Sequence, residues 1–144
     1  VVVADKRKYY IESNRSHYNN AHHSSGLDVA EQIIAEQYPE YSAAFTKVCN
    51  RSWAHMFNMF VMRRDLFDQY CEWMFSILEE IEKRVDISDY DTYEARIYGF
   101  VSEILLDVWL EANNISYKEQ NVSFMEPQNW IKKGGLFLKR KFFK

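Results

Sequence analysis

Apolar residues recur along two stretches of the chain at steps of three or four. Leu66, Tyr70, Trp73, Ile77 and Ile81, joined by Phe67, Met74, Leu78 and Val85, form one stripe; Ile97, Val101, Ile104, Leu105 and Val108 form another. Such spacing puts side chains on one helical face, so both stretches predict long amphipathic helices. Asp65 opens the first and leaves Glu79, Glu80 and Glu82 to solvent; the second covers residues 93–112 and stops at Asn113-Asn114. Asp28 or Ser25 caps a shorter helix over residues 29–37, with Ile33 and Ile34 inward. Pro39 suits the first turn of another that buries Tyr41, Phe45 and Val48 and ends near Cys49. Residues 57–62 form an apolar run broken only by Asn58 and bounded by Arg63-Arg64, a length that predicts a buried strand. Residues 1–11 read as extended, 12–27 as a polar loop rich in Asn, Ser and His, and 117–125 as a further strand. The sum is a helix-rich α/β chain with few strands, and so small a sheet calls for partner strands.

Composition narrows this picture. Of 144 residues, 47% are hydrophobic and 17% aromatic, enough to bury a core. Four glycines and two prolines are too few for a sandwich of many tight turns. Cys49 and Cys71 lie in apolar helical patterns and read as two reduced, buried thiols of a cytoplasmic protein. No run reaches the about 18 apolar residues of a membrane span, and nothing reads as a signal peptide. Residues 132–144 hold six of the 18 basic residues and no acidic one, against 21 acidic residues elsewhere. That acidic body argues against nucleic acid as the main partner. The basic, aromatic tail suits peripheral contact with an anionic inner membrane face.

At about 100° per residue, Arg96, Phe100, Glu103 and Asp107 share one face of the second long helix, opposite its apolar stripe and beside Gly99. Two readings are open: a pocket in which Glu103 acts as base on a hydroxyl, or a solvated charged face with Gly99 packed on a neighbouring helix. The Asn58 amide serves either the backbone around it or a sugar hydroxyl. His55 stands where strand ends meet ligands in α/β folds, or is a structural hydrogen-bonder. His17, His22, His23 and Asp28 cluster without the spacing of a zinc site, so no metal is assigned. Asp89-Tyr90-Asp91 matches the Asp-x-Asp pattern of metal–nucleotide binding in glycosyltransferases, but between two helices it reads as a helix cap. The sequence contains no Gly-rich phosphate loop, no Gly-x-Ser-x-Gly elbow and no His-Glu-x-x-His, and no carboxylate pair of a glycosidase can be identified.

The segments Lys8-Tyr-Tyr-Ile-Glu-Ser, His17-Tyr-Asn-Asn-Ala-His22, Leu27-Asp28 and Tyr38-Pro-Glu-Tyr carry a family resemblance. So do His55-Met-Phe-Asn-Met-Phe-Val-Met, Cys71-Glu-Trp-Met-Phe, Arg96-Ile-Tyr-Gly-Phe-Val-Ser-Glu103 and Gln128-Asn-Trp130. In order and spacing they resemble a bacterial capsular- or exopolysaccharide glycosyltransferase-like family catalogued as a domain of unknown function. The resemblance implies a partial nucleotide-diphospho-sugar-transferase-like (GT-A-like) fold. Residues 1–144 would be a single domain or the C-terminal, acceptor-side half of one, with nucleotide binding and any divalent metal placed in an upstream half. Glu103 would be the base, Asn58 would touch sugar hydroxyls and Arg96 a sugar or phosphate. His55, His22 and Asp28 would be polar groups of the pocket. The implied partners are a nucleotide sugar and a glycan or lipid-linked acceptor. The competing function is a non-catalytic carbohydrate- or partner-binding module, for which ten tyrosines and four tryptophans supply stacking surface.

Overall fold

Helices carry most of the chain in the computed structural model, which describes residues 1–125 and Gly135. Apart from that glycine, the basic tail over 132–144 lies outside the described residues. Strands β1 (Val2–Ala4) and β2 (Arg7–Lys8) open the chain, followed by helices α1 (Asn14–Ala21) and α2 (Ser25–Gln37). A 3₁₀ turn at Pro39–Tyr41 leads into α3 (Ser42–Asn50), then β3 (Trp53–Ala54) and β4 (Phe60–Val61). The long helix α4 (Arg64–Arg84), a 3₁₀ turn (Glu94–Arg96), α5 (Ile97–Ala112) and β5 (Lys118–Gln120) complete the order. The helix-rich α/β class with few strands is the one the sequence pattern implies.

Strand β1 lies at the centre of a three-stranded sheet, antiparallel to β4 through Val2↔Val61 and Val3↔Phe60 and parallel to β5 through Val2↔Lys118. Strands β2 and β3 form a separate antiparallel pair, Arg7 opposite Ala54. Helix α5 is the axis of the core. Its apolar residues Ile97, Val101, Ile104, Leu105, Leu106, Val108, Trp109 and Leu110 are all buried, and it packs on α2, α3 and α4. Each such side chain removed from water contributes about 1.5–3 kcal/mol. Helix α4 adds Tyr70, Trp73, Ile77 and Ile81 from one face, as their spacing requires.

Four expectations need correction. Residues 12–27 are not a loop. Ser13 Oγ caps α1 by accepting the Ser16 N–H at 3.2 Å, and buried Asn14 donates from Nδ2 to the Val48 and Trp53 carbonyls, both at 2.8 Å. A polar helix is thus held by long-range hydrogen bonds rather than by an apolar stripe. The buried strand over 57–62 shrinks to Phe60–Val61, because Phe57 and Asn58 have φ of 80° and 50° and left-handed residues cannot continue a strand. Phe57, Asn58 and Met59 are exposed. The strand over 117–125 is only Lys118–Gln120, an exposed edge. Finally, Asp107 does not face solvent: α5 is buried on nearly all sides, and this carboxylate is 2% exposed. Smaller shifts concern Asp65, which sits in the first turn of α4 behind Arg63 rather than at its cap, and Cys71, which is half-buried while Cys49 is buried.

Candidate functional site

Two carboxylates project from α5 one turn apart, Glu103 and Asp107. Asp107 belongs to a closed network. Its Oδ2 accepts the His55 backbone N–H at 2.9 Å, and its Oδ1 lies 2.6 Å from His55 Nδ1. Arg51 Nη2 forms an ion pair with Oδ2 at 2.6 Å, although its N–H direction does not meet hydrogen-bond geometry. The Arg51 guanidinium lies 3.4 Å from the Trp53 ring centre, and its Nε donates to the Trp53 carbonyl. Beyond His55, Glu119 lies 3.4 Å from Nε2 and binds Lys6 at 2.7 Å. Burial pushes the Asp107 carboxyl up, but the His55 hydrogen bonds and the Arg51 charge outweigh it and hold the carboxyl below its ordinary range. A polar pocket of about 140 Å³ opens beside this network, lined by Arg51, Asp107, Glu111, Asn114 and Tyr117 among others.

Glu103 has a different setting. It accepts the Phe57 backbone N–H and feels the charges of Arg7 and Arg96, yet burial dominates and raises its pKa above the usual carboxylate value. The loop that delivers the Phe57 N–H is the left-handed pair Phe57-Asn58. Asn58 Nδ2 anchors it to α5 by donating to Ser102 Oγ at 2.8 Å and the Gly99 carbonyl at 3.2 Å. A left-handed aromatic residue costs of order 1–3 kcal/mol, a strain that clusters at functional sites. Gly99 faces open space: an added Cβ would meet nothing within 4 Å. It is therefore not packed against a neighbouring helix.

Arg96 stands at the start of α5, its guanidinium 5.4 Å from the Phe100 ring centre. His22 stacks on the same ring at 3.9 Å. The structure thus brings Asn58, Arg96, His22 and Glu103 together around the first two turns of α5. It does not bring the other two sequence candidates there. His55 has no exposure and sits beside Asp107, so it reaches a ligand only through its neighbours. Asp28 lies in the first turn of α2, paired to Arg15 at 3.0 Å.

Sequence reasoning missed a second polar layer. Buried Glu12 is held by His17 Nδ1 at 2.9 Å and Asn20 Nδ2 at 2.8 Å. Tyr9 stacks on His17 at 4.1 Å between ring centres. Tyr9 is buried, which raises its pKa, and its hydroxyl feels Arg7, Glu103 and Glu12. Tyr9 and Glu12 belong to the Lys8–Ser13 segment, and an acidic residue directly after Tyr9-Tyr10-Ile11 was the available signal. Among the described residues, no group of three or more His, Cys, Asp or Glu is arranged to hold a metal ion. No described helix is long and apolar enough to cross a membrane.

The fold is helix-rich α/β with few strands, and a left-handed loop is pinned to α5 beside a half-buried glutamate. The chain belongs to the family described as a domain of unknown function (DUF4422), whose model matches residues 1–124. It is similar in structure to the bifunctional glycosyltransferase WbbM in its apo form, with a TM-score of 0.77 and 29% sequence identity. That likeness covers 83% of this chain, and this chain spans 22% of the length of that one. No curated protein gives a match.

Proposed function

We propose that this chain supplies the acceptor side of a glycosyltransferase of capsular or exopolysaccharide assembly. It would move a sugar from a nucleotide sugar to a glycan or lipid-linked acceptor at the cytoplasmic membrane face. The observation that carries the reading is the placement of Glu103. It is a carboxylate with a raised pKa, held at one point by the Phe57 N–H, next to the open space at Gly99. A base serves best when its pKa lies closer to the working pH, and burial moves Glu103 in that direction. In the proposed step Glu103 takes the proton of an acceptor hydroxyl as that oxygen bonds to the anomeric carbon. The bond from that carbon to the nucleotide diphosphate breaks, and the nucleotide leaves with the electron pair. Asn58 commits its Nδ2 to Gly99 and Ser102, which leaves Oδ1 to accept from a sugar hydroxyl. His22 backs the Phe100 and Arg96 wall.

In this reading the 144-residue chain binds acceptor and gains transfer activity only with the nucleotide-binding half joined to it. Radiolabelled sugar transfer by the chain alone and by the joined protein tests the division of labour. Efficient transfer by the chain alone would sink the acceptor-side assignment. In the joined protein Glu103→Gln is expected to slow transfer by about 10²–10⁴-fold and to abolish the acidic limb of the pH–rate profile. An unchanged rate would remove Glu103 as the base. Liposome sedimentation with and without residues 132–144 tests the membrane contact, which fails if deletion costs no binding.

A further inference from the structure

Helix α4 carries more apolar surface than the core takes. Its buried residues Tyr70, Trp73, Ile77 and Ile81 fill one face, and the helix packs on α2 and α5. Beside that face runs a second stripe, Phe67, Cys71, Met74 and Leu78, at steps of four, three and four. This is the heptad spacing of a seam between paired helices. Phe67 is 40% exposed, Cys71, Met74 and Leu78 are half-buried, and Phe75 next to them is 53% exposed. The charges at the two ends of the seam differ. Arg64 stands at its start and Glu82 near its end, separated by about five whole turns, so both project at the same angle around the helix. Both are exposed. Arg64 commits Nε to the two oxygens of Asp68, at 2.9 and 2.8 Å, and its Nη groups have no partner among the described residues. Glu80 takes Lys83 and Arg84, whereas Glu82 makes no ion pair among the described residues.

We infer that this face of α4 is a self-association surface, on which a second copy of the chain lays its own α4 antiparallel, about a two-fold axis between Glu72 and Trp73. With the axis there, Phe67 of one copy faces Leu78 of the other and Cys71 faces Met74, the alternation that heptad seams make. The two Phe75 rings flank the axis on its open side. Arg64 comes beside the other copy's Glu82, and its free Nη groups meet a carboxylate that lacks a cation. The contact is isologous, so each pairing occurs twice. A parallel pairing in register would set Arg64 against Arg64 and Glu82 against Glu82, like charges that repel. Charge also selects against an anionic membrane, because exposed Asp68, Glu72, Glu79 and Glu82 border the stripe. One helix per copy is smaller than a permanent interface, so the dimer should form with a dissociation constant on the order of 10 µM. The surface stands apart from the sugar-transfer reading, whose Glu103 and Gly99 lie on α5.

Sedimentation equilibrium of the 144-residue chain from about 1 to about 200 µM tests this arrangement. The mass should climb with concentration from 17.3 kDa to twice that value. Phe75→Ser takes an exposed ring from the seam and should weaken dimerisation about tenfold or more. Phe67→Ser repeats the test toward one end of the seam. Unchanged thermal melting, measured below the association range, shows that each variant folds. Arg64→Glu and Glu82→Arg should each weaken the dimer about tenfold. Combining the two should restore the parent's affinity, because reversing both charges rebuilds each pair across the two-fold axis. Val61→Ser changes an exposed residue of β4 that lies off the seam and should leave the mass unchanged. A chain that stays monomeric at the highest concentration overturns the inference. So does a dimer indifferent to Phe75→Ser and Phe67→Ser, or one that Val61→Ser dissolves, which would place the contact on the sheet. Two weakened single charge variants with no recovery in the double variant overturn the antiparallel pairing. Binding to phosphatidylserine vesicles that Phe75→Ser removes would give the face to lipid and overturn the inference as well.

Discussion

Asp107 and Glu103 leave the same helix one turn apart, and their surroundings could hardly differ more. Asp107 is buried with its oxygens taken up by the His55 N–H, the His55 ring and Arg51. Its pKa is lowered despite burial. Glu103 is half-buried, accepts one backbone N–H and has its pKa raised by the same desolvation. Burial alone therefore does not set a carboxylate's role; the number and charge of the groups aimed at it do. A fully partnered carboxylate staples three segments of the fold. An under-partnered one is available to a ligand.

Breaking the staple should have the largest effect. Asp107→Ala leaves Arg51 and His55 without their counter-charge in the core, a loss of about 3–5 kcal/mol by analogy with broken buried pairs. Urea unfolding followed by tryptophan fluorescence measures it, and a loss below about 1 kcal/mol, the range of exposed ion pairs, would mean that the network is not a staple. The two carboxylates also bend stability against pH in opposite senses. The native pKa of Asp107 lies below its ordinary 3.8, so its contribution is present above that value and is lost as pH falls through the lower native pKa. The native pKa of Glu103 lies above its ordinary 4.5. Ionising it therefore costs stability as pH rises from 4.5 through the native value.

The next effect down concerns a glycine that has no spare room. An added Cβ at Gly26 would lie 2.5 Å from Ile97 Cγ1 and 2.9 Å from the Tyr18 hydroxyl. Gly26→Ala should cost about 1–3 kcal/mol through overpacking where α2 crosses α5, read by the same unfolding assay. Glu103→Gln should act in the reverse direction to Asp107→Ala. It keeps an oxygen for the Phe57 N–H and removes the charge, so at pH 7 the variant should melt at a higher temperature than the parent. At pH 3.5, where the parent's Glu103 is already protonated, the difference should vanish. Equal gains at both pH values would show that charge is not the cause.

How much of this contrast the sequence exposed follows from the range of each interaction. The stripes of α4 and α5 are local periodicities, and their core residues were legible. So was the cap at Asp91, whose Oδ1 accepts the Tyr93 and Glu94 N–H groups at 2.8 Å. Glu103, Arg96 and Gly99 were legible as neighbours because helical spacing alone brings them together. Asp107 was misplaced because α5 is buried on the side opposite its stripe, and its partner His55 lies 52 residues away, beyond any local window. Helix α1 has no apolar period to read, for the residues it buries are Asn14 and Tyr18 alone. The loop at Phe57-Asn58 gave one hint in its asparagine, a residue that tolerates left-handed backbone, but the surrounding apolar run pointed to a strand.

The smallest effect sharpens the comparison most, because it separates space kept for a ligand from space kept for folding. Gly99 lies within a helix and pays the conformational penalty of glycine, yet an added Cβ would touch nothing within 4 Å. Gly99→Ala should therefore stabilise the chain by about 0.5–1 kcal/mol, the propensity difference between the two residues. Gly26→Ala, by contrast, should destabilise it. If the space beside Glu103 receives sugar or phosphate, Gly99→Ala should also weaken that binding while raising the melting temperature. Gly99→Leu should abolish binding without unfolding the helix. A stabilised Gly99→Ala protein that binds glycan as tightly as the parent would show that the glycine guards no ligand, and would point instead to the polar pocket beside Asp107.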